Sequence, residues 1–125
     1  MDEKQELEKK AIYKNAEKNH LSNRKEAIDK IINGITTTIN DTITLYNEDI
    51  YKVNNFLSEG IKGGKATLID DLVEQREVYD YEGGDLDKCK ENLTNESNNC
   101  ASRISELESD IKNIAIEIVK KDFGI

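Results

Sequence analysis

The sequence has no proline and no tryptophan, one histidine, two cysteines and seven glycines in 125 residues. Without proline, its helices can end only at glycine or at capping side chains. Two cysteines do not make a disulfide scaffold, and one histidine cannot anchor a Cys/His set for zinc. Apolar residues are 36% of the chain and aromatic ones 6%, against 35% charged. That ratio is poor for one rounded core and suits helices that each bury a narrow stripe. No apolar run approaches the roughly 18 residues that cross a bilayer. The opening Met1-Asp2-Glu3-Lys4-Gln5-Glu6 lacks the basic and apolar regions of a signal peptide. Acidic residues outnumber basic ones 26 to 18, a net charge of −8, which argues against unaided binding to nucleic acid or anionic membranes. A phosphate-binding glycine loop, a Ser/His/Asp set and a basic patch with interleaved aromatics are all missing. No catalytic, cofactor-binding or metal-ligating residue is therefore expected, and His20 reads as a surface residue.

What the sequence does contain is heptad spacing. In the first half Ile28, Ile32, Ile35, Ile39, Thr42, Tyr46, Ile50, Val53 and Leu57 follow steps of three and four. The second half repeats the pattern through Leu68, Leu72, Gln75, Tyr79, Glu82, Leu86, Cys89, Leu93, Glu96 and Cys100, then Ile104, Leu107, Ile111, Ile114 and Ile118. Such steps, sustained over many turns, indicate coiled-coil or hairpin seams. Between the halves lies Ser58-Glu59-Gly60-Ile61-Lys62-Gly63-Gly64, whose glycines supply the conformations a chain reversal needs. Thr67 with Asp70 resembles a capping box that opens the following helix. The expected fold is all-α: an antiparallel helical hairpin of two long, coiled-coil-like helices, alone or within a larger bundle. Its boundaries are helix 1 at about 2–57, a turn at 58–64 and helix 2 at about 65–122, in a single domain spanning 1–125. Each helix would run roughly 80 Å at 1.5 Å per residue. A turn near residue 61 pairs residues whose numbers add to about 122. Residues 1–21 are candidates for fraying, because Leu7, Ala11, Ala16, Leu21 and Ala27 make only a thin stripe. Asn19-His20-Leu21-Ser22-Asn23 is a candidate break, with Ser22 capping a new helix.

Cys89 and Cys100 are eleven residues apart, close to three turns, so both are expected on the seam face. At about 16 Å along one helix they cannot join each other; an intermolecular disulfide in an antiparallel dimer is the alternative. Gly83-Gly84 interrupts the second heptad run and implies a kink or a close neighbouring backbone. Asp70 to Asp87 holds eight acidic residues against Arg76 alone, either a solvated face or one that steers a basic partner. The apolar positions are wider than one seam. Ile31, Ile43, Leu45, Tyr51 and Phe56 flank the first stripe, and Ile116, Val119 and Phe123 the second. Surplus apolar surface of this kind calls for a second chain. The expected partner-binding residues are Ile28, Ile32, Ile35, Ile39, Tyr46, Val53, Leu86, Leu93, Ile104, Leu107, Ile111, Ile114 and Ile118.

A small, acidic, proline-free helical hairpin with an aromatic-x-Gly (Tyr81-Glu82-Gly83) near a helix junction is similar to the WXG100-like proteins of type VII secretion. It resembles more closely the accessory proteins encoded beside LXG toxins in Firmicutes, and the richness in Lys, Asn and Ile suits an AT-rich genome of that kind. Tyr81 stands where those proteins carry tryptophan, and Tyr13 with Glu17 places a Tyr-x-x-x-Glu near the N-terminus, not after the second helix. Both departures point to an accessory adaptor. The resemblance implies a non-enzymatic chaperone that binds the helical N-terminal region of an LXG-type toxin and helps target it for export. Its partner would be a protein, in a hetero-oligomer or, alternatively, a homodimer, with no nucleic acid and no membrane. Its place would be the bacterial cytoplasm, with co-export lacking a cleaved signal peptide as the alternative. The residues themselves leave two other readings open: an acidic, nucleic-acid-mimicking inhibitor of phage type, and a self-associating structural coiled coil.

Overall fold

The computed structural model describes residues 2–57, 64–80 and 84–125. They form three α-helices, α1 (Glu3–Phe56), α2 (Gly64–Asp80) and α3 (Asp85–Asp122), and no strand occurs among the described residues. The fold is the all-α helical hairpin that the heptads predict, with α1 packing against α2 and α3. Of the expected turn at 58–64, residues 58–63 lie outside the described residues, as does the Tyr81-Glu82-Gly83 motif, while Gly64 is already the first residue of α2.

Each helix end has a local cause. Asp2 accepts the Gln5 backbone N–H on Oδ1 at 2.8 Å, while the Asp2 N–H donates to Gln5 Oε1 at 3.3 Å. This reciprocal pair satisfies two donors that the first turn of α1 would otherwise leave open. At the other end of the chain Gly124 takes a positive φ of 68°. Its N–H donates to the Lys121 carbonyl and that of Ile125 to the Lys120 carbonyl, the glycine-dependent stop in which a left-handed residue folds the chain back on the last turn. The carbonyl of Gly84 accepts the Lys88 N–H at 2.9 Å, so α3 starts immediately after it. Two local expectations are corrected. α1 runs unbroken through Asn19–Asn23, because seam contacts on both sides outweigh the polar stretch. Thr67 lies inside α2, which begins at Gly64, so it is not the residue that opens that helix.

The chain divides into two compact units, a terminal unit of Met1–Lys30 with Leu93–Ile125 and a central unit of Ile31–Asn92. In the terminal unit the first part of α1 pairs antiparallel with α3. Its core is Ile28, Cys100, Leu107 and Ile114, with the hydroxyl of Ser97 buried among them. Leu107 is fully enclosed, a burial that contributes about 1.5–3 kcal/mol. The pairs Arg24–Glu96 and Lys14–Asp110 add to 120 and 124, close to the expected 122. Opposite the apolar stripe of α3, α1 places Lys4, Leu7, Ala11, Lys14, Lys18, Leu21 and Lys25 at half-buried positions. The lysine stems cover apolar surface while their ammonium groups reach carboxylates of α3: Lys4 with Asp122, Lys14 with Asp110 and Lys18 with Glu108. Ala16 and Ala27, expected on the stripe, are exposed.

The central unit contains the rest of α1, all of α2 and the start of α3. Its described residues include none that is fully buried. Across α1 and α2, the rings of Tyr46 and Tyr79 meet at a 35° tilt with centroids 6.0 Å apart. Arg76 donates to Asn47 Oδ1 at 2.7 Å, and the Tyr46 hydroxyl donates to Gln75 at 3.4 Å.

Candidate functional site

The residues expected to bind a partner divide by unit. In the terminal unit Ile28, Leu107 and Ile114 are buried, and Leu93, Ile104, Ile111 and Ile118 are half-buried. They form the seam of this chain's own hairpin. In the central unit Ile32, Ile35, Ile39, Tyr46, Val53 and Leu86 are all half-buried, so a seam is present but not closed.

One column of the second heptad run, Leu72, Tyr79, Leu86, Leu93 and Cys100, faces inward as expected. The other column lies one residue later than expected. Ile69, Arg76, Lys90 and Ser97 turn inward, while Leu68, Gln75 and Cys89 are exposed and Glu96 is half-buried. Cys89 and Cys100 therefore do not share an environment, the first being exposed and the second buried. The physical reason is that residues three and four beyond a seam position flank it on opposite sides. The neighbouring helix lies on the side of the fourth.

Among the described residues Ser97 has the one side chain that is both polar and buried. Its hydroxyl donates to Asp29 Oδ1 at 2.6 Å, and Lys25 donates to Asp29 Oδ2 at 2.7 Å. These two donors, Lys25 first, hold the Asp29 carboxyl below its usual range. Serine, aspartate and lysine in contact superficially resemble a nucleophile with its activating groups. The hydroxyl is enclosed and spent on a carboxylate that is itself paired, so the cluster fixes register instead.

Large apolar side chains of the central unit stand in solvent: Ile31 is 52% exposed, Leu45 60% and Val78 67%, with Tyr51, Phe56 and Leu57 also exposed. Beside Ile31 an apolar groove of about 400 Å³ is lined by Ile31, Gly34, Ile35, Thr38 and Ile39 of α1 with Tyr79 and Leu86. Gly34 widens it, since a Cβ built there would meet nothing within 4 Å. On the other side of Ile39 and Tyr79 a smaller, polar groove of about 190 Å³ is lined by Asn40, Ile43, Asp80, Asp87 and Lys90. In the terminal unit a further apolar strip of α3 is formed by Ala115, Ile116 and Val119 between Lys112 and Lys120.

Charge is distributed as unevenly as burial. The central unit has 13 acidic and 6 basic residues, a net −7, and the terminal unit 13 acidic and 12 basic, a net −1. Asp70, Asp71, Glu74, Glu77 and Asp80 are all exposed along α2. No protein-family model, no curated protein and no solved structure matches this chain. Among the described residues no group of His, Cys, Asp and Glu is arranged to hold a metal ion, and no helix is long and apolar enough to cross a membrane.

The reading of the sequence missed Gly34, although a glycine within a long helix, at a cost of about 1 kcal/mol relative to alanine, is itself a signal. It also missed the seam lysines, because only apolar residues were counted toward the stripe.

Proposed function

We propose that this chain is a non-enzymatic helical adaptor that carries a longer helical protein, of the kind that accompanies LXG-type toxins into type VII secretion. The observation that supports the reading is the contrast in burial: the terminal unit has a seam with fully buried residues, whereas the described seam residues of the central unit are at most half-buried and Ile31, Leu45, Tyr51, Phe56 and Val78 beside them stand in solvent, as Ile12, Tyr13, Val119 and Phe123 do in the terminal unit. Exposed Ile, Leu, Val, Tyr and Phe on a strongly acidic unit are costly in a free monomer and useful in a complex. Helix-in-groove docking is the mode such a surface suits, with anchors one or two turns apart. Co-expression with the product of the adjacent gene tests the proposal. A stoichiometric complex with a protein that begins in a long helical region is expected; a monodisperse free monomer beside an unbound neighbour would contradict it.

A second reading is favoured by one observation, the exposure of Asp70, Asp71, Glu74, Glu77 and Asp80 along α2. A helix edged with carboxylates can present itself to a nucleic-acid-binding protein in place of phosphates. Competition with DNA for a basic nucleic-acid enzyme tests this inhibitor reading, and retained inhibition after Asp70, Asp71, Glu74 and Glu77 are changed to amides would sink it. Self-association as a structural coiled coil has the charge against it, because an isologous contact through the central unit opposes two surfaces of net −7.

A further inference from the structure

The adaptor reading, on which this inference rests, leaves open where the partner sits and what chemistry it must have. We propose that the groove bounded by Ile31, Gly34, Ile35, Thr38, Tyr79 and Leu86 receives a basic amphipathic helix of another protein. The groove lies wholly within the central unit, and its walls are apolar. Gly34 keeps it open, with space where any side chain would begin. The glycine lies in the interior of a 54-residue helix, where alanine would favour the helix by about 1 kcal/mol. Among the described residues no side chain uses that absence; an incoming side chain would.

Charge selects the occupant. The unit that holds the groove has 13 acidic residues against 6 basic, and Arg76, the arginine of α2, is turned to Asn47. A second copy docking face to face would bring two such fields together. A second copy docking head to tail, through the Lys112 to Lys120 strip of its α3, has the right charge. That contact is heterologous, however, so it would have to close into a ring or grow as a filament. A helix with leucine or isoleucine at its seam positions and lysine or arginine beside them satisfies groove and field together.

The test uses the full chain and a synthetic three-heptad peptide with leucine at the a and d positions and lysine elsewhere, titrated by calorimetry. Saturable binding at one site is expected, weakening as salt rises, with none for the same peptide carrying glutamate in place of lysine. Gly34→Leu fills the groove from an open position without altering charge, and is expected to weaken binding roughly tenfold or more at unchanged helical content. Thr38→Lys, on an exposed position of the same wall, is expected to weaken it by a similar factor. Equal affinity in wild type and both variants would show attraction by charge alone and overturn the proposal, as would failure of the lysine peptide to bind. Sedimentation of the free chain supplies the other occupant: self-association abolished by Gly34→Leu would assign the groove to a second copy and likewise overturn it. Failure of the adaptor reading is seen separately, as the absence of any complex with the adjacent gene product. A complex that forms undiminished with Gly34→Leu would remove the groove and leave the adaptor standing.

Discussion

The terminal and central units are built on the same three-four spacing and differ in burial and in charge. In the terminal unit isoleucine and leucine of α3 meet lysine stems and small residues of α1, and cross-helix ion pairs neutralise the flanks. In the central unit the inward column includes Thr42, Arg76 and Lys90, and the apolar residues that would complete it stand outside. Heptad spacing is enough to make long helices in both. Whether the seam between them closes depends on what fills the second column and on the sign of the charges beside it.

This comparison can be broken at its strongest point first. Leu107→Ala removes a fully buried side chain and is expected to cost about 2–5 kcal/mol in urea unfolding. Val78→Ala, in the central unit, should change stability by no more than about 0.5 kcal/mol. Similar losses at the two positions would erase the distinction between the units. Ser97→Ala deletes the enclosed hydroxyl that donates to Asp29 and should cost about 1 kcal/mol; no loss would mean that register is set by the apolar column alone. Gly34→Ala should stabilise the chain by up to about 1 kcal/mol, because the added Cβ enters open space in a helix interior. A loss there would indicate that the groove is closed in solution.

The smallest effect is that of acid. Lys121 holds the Glu3 carboxyl below its usual range, and Lys25 with Ser97 does the same for Asp29. Their contribution is present above the ordinary carboxylate value and is lost as pH falls through the lowered one. Amide exchange compared at neutral pH and below about pH 4 should therefore show protection falling in 93–122 relative to 64–80. A parallel change in both would sharpen the account against electrostatics as the source of the difference.

The hairpin was legible because isoleucine recurs at unambiguous spacing from Ile28 to Val53 and from Ile104 to Ile118, and every one of those stripe positions is buried or half-buried. Between residues 68 and 97 the expected second column and the one the structure turns inward differ little in polarity, Gln75 against Arg76 and Glu96 against Ser97. Apolarity does not separate those pairs, and at Cys89 and Lys90 it favours the exposed cysteine over the half-buried lysine. A clue was present in the spacing itself: Glu96, Cys100 and Ile104 take two consecutive steps of four, whereas Ser97 restores the three-four alternation. The lysines of α1 were hidden for a related reason, since long aliphatic stems cover surface that an apolar count ignores. Of the candidate site, the exposed flank at Ile31, Leu45, Tyr51 and Phe56 was visible in the sequence. The groove was not, because its opening is made by a missing side chain at Gly34.

The central claim is that the terminal unit completes itself and the central unit awaits a basic helix. Residue-resolved amide exchange of the full chain, alone and with the lysine-leucine peptide, tests it most directly. The account predicts slow exchange in 3–30 and 93–122 under both conditions, and fast exchange in 31–57 and 64–80 that slows when the peptide is added. Equal protection of the two units in the free chain, unchanged by the peptide, would contradict it.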